Sequence, residues 1–457
     1  MIAPARVAAL DVLTAVSAGR ADLPAALAHA RATLGDERDR ALAAEIATGV
    51  QRWRAALDHV ISTVSKRRLD RLDPEVVEIL RLGAYQILHL ARVPAAAVVH
   101  DAVDLTKRAG KGSASGFVNA VLRNVSRQRR SLPLPPRPAD GGDRAAALDY
   151  LSITLSHPRW LAARWYDRFG LDIAETWMRF NNQAAPLTLR ANTLRLTIGE
   201  LAARLAGRGV VTRPGRYAPA ALLVDQGHPL RDPGTEAGWF VVQDEASQLV
   251  TLLAGSEPGP LVLDACASPG GKATALAATR REGRVVACDV RARRMQLLRR
   301  TVMATGADNV RLVQADLRSP PFRGVFDTVI VDAPCSGLGT LRRDPDIRWR
   351  RQERDLAVLA ASQRRLLKGA AEVVAPGGRL IYATCSSEPE ENEDLVAEFL
   401  SGASGFAQVD ARTLHQALGP ELVDERGHLR TTPDRHGLEA FFGAVLERRP
   451  EAQPRAA

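Results

Sequence analysis

Cysteine is scarce in this chain: four residues in 457, at positions 266, 288, 335 and 385. No two share CxxC spacing, and four scattered thiols in so long a chain make neither a disulfide framework nor a zinc ribbon. No metal centre is expected, and free thiols suit a reducing cytoplasm. Long apolar runs are missing too. None approaches the ~18 residues of a membrane-spanning helix. The opening stretch MIAPARVAALDVLTAV is interrupted by Arg6 and Asp11, so it lacks the unbroken core of a signal peptide. These absences predict a cytoplasmic protein with no membrane contact. Aromatic residues supply only 5% of the chain. Positive charge is plentiful: 62 Lys and Arg against 52 Asp and Glu, a net +10. That balance suits a polyanionic partner, because each Lys or Arg that meets a phosphate displaces a counterion.

At 457 residues the chain is too long for one core, and two or three domains are expected. Residues 1–130 read as helices throughout. In the stretch from Leu72 to Leu90, Asp73 stands at an N-cap position, Pro74 at N1, and Val76, Leu80, Ala84 and Ile87 recur at helical spacing. Two more helices are predicted at Ala95–Arg108 and Gly116–Arg129, the latter with Phe117, Val121 and Val125 on one stripe. Basic residues cluster at Lys66, Arg67 and Arg68 and again at Arg123, Arg127, Arg129 and Arg130. They suit RNA phosphates or simply the helix dipole. SLPLPPRPADGG, with four prolines and two glycines, reads as an extended linker, placed at 131–147. A small α+β segment follows over 148–238. Its HPRWLAARWYDR reads as a helix, with Trp160 and Trp165 expected in the core. PLTLRANTLRL reads as a strand from which Arg190 and Asn192 project, suited to single-stranded RNA.

From Trp239 the pattern alternates. Strands are predicted at 261–264, 284–288, 310–313, 326–331 and 378–383, with helices at roughly 271–279, 291–304 and 351–374, which implies a parallel sheet covered on both faces. The segment LVLDACASPGGK is a strand, a glycine turn and a helix start, so backbone can approach a ligand where a Cβ would collide. It is not GxGxxG, which argues against a nicotinamide dinucleotide. Asp289, 25 residues after Asp264, ends the second strand and is placed for ribose hydroxyls. Ligands in such sheets bind beyond the carboxyl ends of the strands, and Asp289, Asp316, Asp332 and Cys385 all fall there. Cys335 follows Asp332 by three residues in DAPCSG. Cys266 and Cys288 read as small packing residues, whereas Cys335 and Cys385 lie in polar turns.

DACASPGGK, ACDV, QADL, VDAPCSG and ATCSSEPEENE, in this order, resemble the S-adenosylmethionine-dependent RNA (cytosine-5) methyltransferases, above all their Sun/Fmu-type ribosomal RNA branch. RLGAYQILHL and FVNAVLRN resemble the NusB-like domain fused to that branch; SHPRWLAARW, TLRANTLR and VQDEASQLV resemble the segment before its catalytic core. The resemblance spans almost the whole chain. It implies an all-α NusB-like RNA-binding domain at 1–130, a small α+β segment, a class I Rossmann-like methyltransferase domain at 239–449, and a disordered tail at 450–457.

The implied reaction methylates C5 of a cytidine in small-subunit rRNA, with S-adenosyl-L-methionine as cofactor and neither DNA nor membrane as partner, by a monomer. Cys385 is the implied nucleophile, adding to C6 so that C5 gains enamine character, and Cys335 helps release the product. Asp332 holds the base edge and favours protonation at N3. Lys272 binds the methionine carboxylate or aids activation of the base. Cys266, Ala267, Ser268, Pro269, Gly270, Gly271 and Lys272 wrap the methionine part of the cofactor, Asp289 takes its ribose, Asp316 its adenine, and Asp332 also lines it. Three readings stay open. DNA cytosine-5 enzymes carry their nucleophile in a Pro-Cys motif, here Cys335; the same chemistry could act on tRNA; and a NusB-like antitermination protein could carry an inert Rossmann half. Three positions depart from the family pattern: Asp344 where His is common, Ala440 where Gly is usual, and Ser268 for a small apolar residue.

Overall fold

The computed structural model describes residues 2–139, 142–231, 238–256, 259–323 and 325–450. The chain forms two compact units, one made of residues 1–184 with 341–353 and the other of 185–340 with 354–457. The tail expected to be disordered lies, apart from Pro450, outside the described residues.

The first unit is helical: α1 (Pro4–Ser17), α2 (Leu23–Thr33), α3 (Glu37–Ser65), α4 (Pro74–His89), α5 (Ala95–Arg108), α6 (Ser115–Gln128), α7 (Arg144–Asp149), α8 (Arg159–Asn181) and the short α13 (Ile347–Arg350). Helix α4 begins as its sequence dictates, with Pro74 at N1 and Val76, Ile79, Leu80 and Leu82 buried. Asp73 occupies the N-cap position without capping; its carboxylate pairs with Lys111 at 3.2 Å instead. Ile46, Leu57, Ile61, Leu80, Leu105 and Leu122 form the common core. Each such side chain contributes about 1.5–3 kcal/mol on leaving water. Val121 and Val125 of the predicted α6 stripe are buried in it, and Phe117 packs at its edge under the Arg67 guanidinium, 5.2 Å away. The basic side chains at 66–68 and at 123, 127, 129 and 130 are exposed.

Helix α8 starts at Arg159, not at His157, and runs to Asn181 past a break at Gly170, where φ is +78°. Trp165 is fully buried as expected, edge-on to Trp177 at 5.3 Å, but Trp160 is only half-buried. The 341–353 segment is sewn into this unit by Arg348, which is completely inaccessible to solvent. Its guanidinium donates to Ser156 O at 3.0 Å and Asn182 Oδ1 at 2.9 Å, with longer contacts to the carbonyls of Arg52, Asn181 and Leu341. Trp349 Nε1 donates to Gln51 O at 2.6 Å, and Asp346 accepts from Leu23 N at 3.1 Å.

The second unit opens with a four-stranded antiparallel sheet of β1 (Thr188–Ala191), β2 (Val211–Pro214), β3 (Ala221–Gln226) and β4 (Phe240–Val242), ordered β2-β3-β1-β4. Helix α9 (Ile198–Ala206) starts at a Thr197/Glu200 capping box. Its Leu201 and Leu205 pack with Leu189 and Phe240 in the core of this sheet. Strand β1 is buried along its whole length, so Arg190 and Asn192 do not project toward RNA. Arg190 donates to Gln243 Oε1 and Thr274 Oγ1, both at 2.8 Å, and to the Gly271 carbonyl. Asn192 Nδ2 donates to Gly238 O at 2.7 Å and Thr305 O at 2.8 Å.

After α10 (Glu245–Leu252) the chain is doubly wound: β5 (Leu261–Asp264), α11 (Gly271–Thr279), β6 (Arg284–Asp289), α12 (Ala292–Thr305), β7 (Val310–Gln314), β8 (Phe326–Asp332), α14 (Arg354–Glu372) and β9 (Val374–Thr384). Then come α15 (Glu393–Gly402), β10 (Phe406–Val409), β11 (Leu429–Thr431), α16 (Pro433–His436) and β12 (Phe441–Arg448). The sheet order is β10-β12-β9-β8-β5-β6-β7, with β11 beside β12. The five strands from β9 to β7 are parallel, β12 pairs antiparallel with β9, and β10 pairs antiparallel with β12. This is a Rossmann-like, doubly wound sheet. Its winding reverses between β5 and β8, where α/β sheets open a crevice for ligands. The last three strands carry no alternation to predict them from: β12 reads FFGAVLER, and its first six residues are buried. Among the described residues no helix is long and apolar enough to cross a membrane, and no cluster of His, Cys, Asp and Glu could hold a metal.

Candidate active site

Strand β5 delivers Asp264, fully buried, to the floor of the crevice. Neither carboxylate oxygen makes a well-formed hydrogen bond, and the Cys266 amide is the near donor. Burial therefore pushes its pKa up to about 7 against the pull of Lys272, with Asp332 and Asp289 adding repulsion. The turn then bends through Gly270, at φ +112°, into α11. A Cβ there would meet Leu298 at 3.0 Å and Thr301 at 3.1 Å, so only glycine keeps α12 this close. Arg294 braces the turn: it donates to Ser268 O at 2.9 Å and pairs with Asp289 at 3.0 Å, while Ser268 Oγ donates to Arg294 O at 3.0 Å. Asp289 is buried at the end of β6. Cys288 and Cys266 pack in the core, and burial followed by nearby carboxylates raises both thiols well above their usual range.

These residues fit an adenosyl-methionine. Asp289 offers the diol acceptor, the glycine turn leaves room for backbone approach, and the unsatisfied Asp264 carboxylate lies beneath. Asp316 stands apart. It is half-buried beyond β7 and engaged by the Arg318 side chain at 2.6 Å and amide at 2.9 Å, a pairing that lowers its pKa.

Lys272, on the first turn of α11, is buried and donates to Asp332 at 2.6 Å and to Ser247 Oγ at 3.1 Å. Its ammonium stands 5.9 Å from the Phe441 ring. Burial works against its charge, but Asp332, Asp264 and Cys385 together raise its pKa, so it remains a cation. Asp332 closes β8 in register with Ala383 of β9, two residues before Cys385.

Cys335 and Cys385 come within 3.3 Å, sulfur to sulfur, and both are half-buried. The loops that carry them are locked together. Gly339 N donates to Cys385 O at 2.9 Å, and Ala440 N donates to Gly339 O at 3.0 Å. The Ser336 and Ser386 hydroxyls meet at 3.1 Å. Ala440, one of the three departures, is buried and serves this contact through its backbone. The hydrogen bond with Cys385, then burial and then Glu391 raise the Cys335 thiol well above its usual range.

The site thus gathers Lys272, Asp332, Cys335 and Cys385 with the Cys266–Gly271 turn and Asp289, and leaves Asp316 to Arg318. Sequence reasoning missed Arg190, Gln243, Ser247, Arg294 and Glu391. Arg190 stands in TLRANTLR, Gln243 and Ser247 in VQDEASQLV and Glu391 in ATCSSEPEENE, and only Arg294 lies outside every such motif; two of the partners of Glu391 lie 28 and 55 residues upstream.

A family model described as 16S rRNA methyltransferase RsmB/F matches residues 250–447. The NusB family matches residues 3–127, and a ferredoxin-like domain of RsmF/B-like methyltransferases matches 157–231. The chain is similar to ribosomal RNA small subunit methyltransferase B of Pseudomonas putida, with 33% identity over 96% of this chain and 98% of that one. It is similar to the enzyme of the same name from Vibrio cholerae, with 34% identity over 90% of each. Among solved structures it is similar to PH0851, with a TM-score of 0.80 and 27% identity over 98% of this chain and 99% of that one. It is also similar to a methyltransferase homolog protein from Pyrococcus horikoshii, with a TM-score of 0.57 and 27% identity over 67% of this chain and all of that one.

Proposed function

Since the chain belongs to the RsmB/F family of 16S rRNA methyltransferases and uses S-adenosylmethionine to methylate RNA, we propose that it acts on C5 of a cytidine in small-subunit rRNA through a covalent adduct of Cys385 with C6. The observation that carries this reading is the pair of sulfurs 3.3 Å apart beside the Lys272–Asp332 ion pair. One cysteine alone would suffice to attack. A second in contact with it serves the step that attack makes necessary, the breaking of the adduct.

When bound, the cofactor supplies an electrophilic sulfonium methyl. Asp289, Asp332 and the turn from Cys266 to Lys272 would hold it, with Asp316 at the adenine once Arg318 gives way. The target base must leave its stack, which costs least in a loop or bulge. Cys385 attacks as the thiolate, forming an S–C6 bond and pushing electron density to C5. Asp332 accepts hydrogen bonds from the base edge and favours protonation at N3, stabilising charge that develops in the transition state. Lys272 fixes its orientation by engaging Oδ2. After methyl transfer C5 gives up its proton to a base, the C5–C6 double bond re-forms and the S–C6 bond breaks. The Cys335 thiol stands in contact with the leaving sulfur and donates its proton to it.

On this reading residues 1–130 bind RNA, 131–147 link, 148–238 precede the core and 239–449 are catalytic, in a cytoplasmic monomer. The test is methyl transfer from labelled S-adenosylmethionine to protein-free small-subunit rRNA, with product nucleosides identified. Label should appear in 5-methylcytidine. Cys385→Ala should give neither product nor adduct, and Cys335→Ala should accumulate a denaturation-resistant RNA–protein complex. The reverse pattern would exchange the two roles, and label on tRNA alone would move the substrate.

A further inference from the structure

We propose that Glu391 is a positioning residue for this reaction: it clamps the two cysteine loops to each other, and its buried charge keeps the proton on Cys335 until the Cys385 sulfur needs it. The proposal rests on the covalent-adduct reading and deepens it.

Glu391 is completely buried. Its Oε1 accepts from Ser336 N at 2.8 Å and from Gln363 Nε2 at 2.9 Å, and its Oε2 accepts from Ser386 Oγ at 2.5 Å. Ser336 follows Cys335 and Ser386 follows Cys385, so one carboxylate spans both sites. Gln363 Nε2 also donates to Pro334 O at 3.0 Å, on the other side of Cys335. The adjacent Asn392 completes the clamp on Cys385: it accepts from Thr384 Oγ1 at 2.5 Å and donates to Ser386 O at 2.9 Å. Both neighbours of each cysteine are thereby held.

Geometry alone would not require a carboxylate. The donors to Glu391 are an amide, a carboxamide and a hydroxyl, all neutral, so its negative charge stays in place beside the thiol in a medium where charge carries far. Among the groups the structure shows acting on the Cys335 thiol, three are titratable: Tyr382 on β9, Cys385 just after it, and Glu391 from the loop that follows. All three are neutral or negative, and each disfavours a thiolate at position 335. The cation Lys272 instead bears on Cys385. The site therefore treats its two sulfurs differently, with an ammonium on the side of the nucleophile and a carboxylate on the side of the proton donor. When the adduct collapses, electrons of the S–C6 bond return to the Cys385 sulfur and the Cys335 proton follows them. Cys335 regains its proton from solvent.

The decisive experiment follows turnover and adduct against pH in the full-length protein with rRNA and S-adenosylmethionine. Glu391→Gln keeps the shape and removes the charge. It should still form adduct, but the alkaline limb of turnover should move down by about one pH unit or more, with adduct accumulating there. Glu391→Asp, which restores the charge, should bring the limb back toward that of the unaltered protein. An unshifted limb in Glu391→Gln, or equal loss of adduct at every pH in both variants, overturns the proposal. Cys335→Ala without adduct would overturn the covalent reading itself, independently of Glu391. If Glu391→Gln fails to turn over, alkylation of Cys335 against pH in a Cys385→Ser background decides. The charge-removing change should move its midpoint down, and an unmoved midpoint overturns the proposal.

Discussion

Each unit of this protein buries a full charge among neutral partners at a point that joins several segments, and the two cases serve different ends. In the helical unit it is Arg348, whose guanidinium reaches carbonyls at 52, 156, 181 and 341 and the Asn182 side chain. In the catalytic unit it is Glu391, held by an amide, a carboxamide and a hydroxyl. Burying an ion costs several kcal/mol unless its hydrogen-bonding capacity is met; both oxygens of Glu391 and both terminal nitrogens of Arg348 find neutral partners, while Arg348 Nε finds none. Arg348 joins four separate stretches of chain and lies beside no reactive atom. Burial, and after it Arg52, pulls its pKa down to about 9. Glu391 joins two loops, each carrying a sulfur, and the Gln363 side chain of α14. A buried charge is a fold device or a chemical device according to what its partners adjoin.

The largest effect that would break this contrast is on stability. Arg348→Met should cost about 3–5 kcal/mol, because several buried carbonyls lose their donor at once. Activity per folded molecule should fall far less, and urea denaturation beside turnover on the folded fraction checks both. A variant that keeps its stability and loses methyl transfer would make Arg348 part of the chemistry. Lys272→Met should show the opposite pattern. It removes the cation beside Asp332 and Cys385 and should lower kcat by about 10²–10³-fold, the usual scale for a lost electrostatic contact at a reacting centre. Its unfolding free energy should change less than that of Arg348→Met.

How far the sequence reveals such devices depends on how local they are. The β5–turn–α11 unit was legible to the residue at 261–264 and 271–279, because a buried parallel strand is a plain apolar run and its glycines follow within ten positions. The cysteine pair was legible as two motifs at strand ends, though not its 3.3 Å contact. Arg190 was misread because alternation implies one wet face, whereas every residue of β1 is buried. Arg348 and Glu391 were illegible for a common reason. Each has a partner nearby, Leu341 or Ser386, but the contacts that give it its role reach 192 and 55 residues away, beyond any local pattern. Asp344, one of the three departures from the family pattern, lies half-buried in the Arg348 segment, where burial and then Asp346 push its pKa up to about 6.

A third buried charge, Asp264, sharpens the contrast through pH. Its folded pKa, about 7, stands above its unfolded value, so the folded state holds the proton more tightly than the unfolded chain. Stability from this group is full below about pH 4, falls as pH rises toward 7, and stays level beyond it. Asp264→Asn should flatten that decline, by a few kcal/mol at most because Lys272 offsets part of it. Urea midpoints at pH 5 and pH 8 measure the difference, and an unchanged slope would show that Asp264 finds a partner in solution.

The smallest expected effect concerns the two acids proposed to hold the cofactor, whose surroundings differ as those of Arg348 and Glu391 do. Asp289 is buried, whereas Asp316 is half-exposed and occupied by Arg318. A surface pair of this kind is worth about 0–1 kcal/mol. Releasing Asp316 by Arg318→Ala should therefore change S-adenosylmethionine affinity by no more than about fivefold, the equivalent of ~1 kcal/mol. Asp289→Asn leaves Arg294 without its carboxylate and takes a charged acceptor from the ribose site, which should weaken binding by tenfold or more. Calorimetric titration of the two variants separates them. If Arg318→Ala tightens binding by more than tenfold, Arg318 is a gate on the adenine site, and the exposed acid matters as much as the buried one.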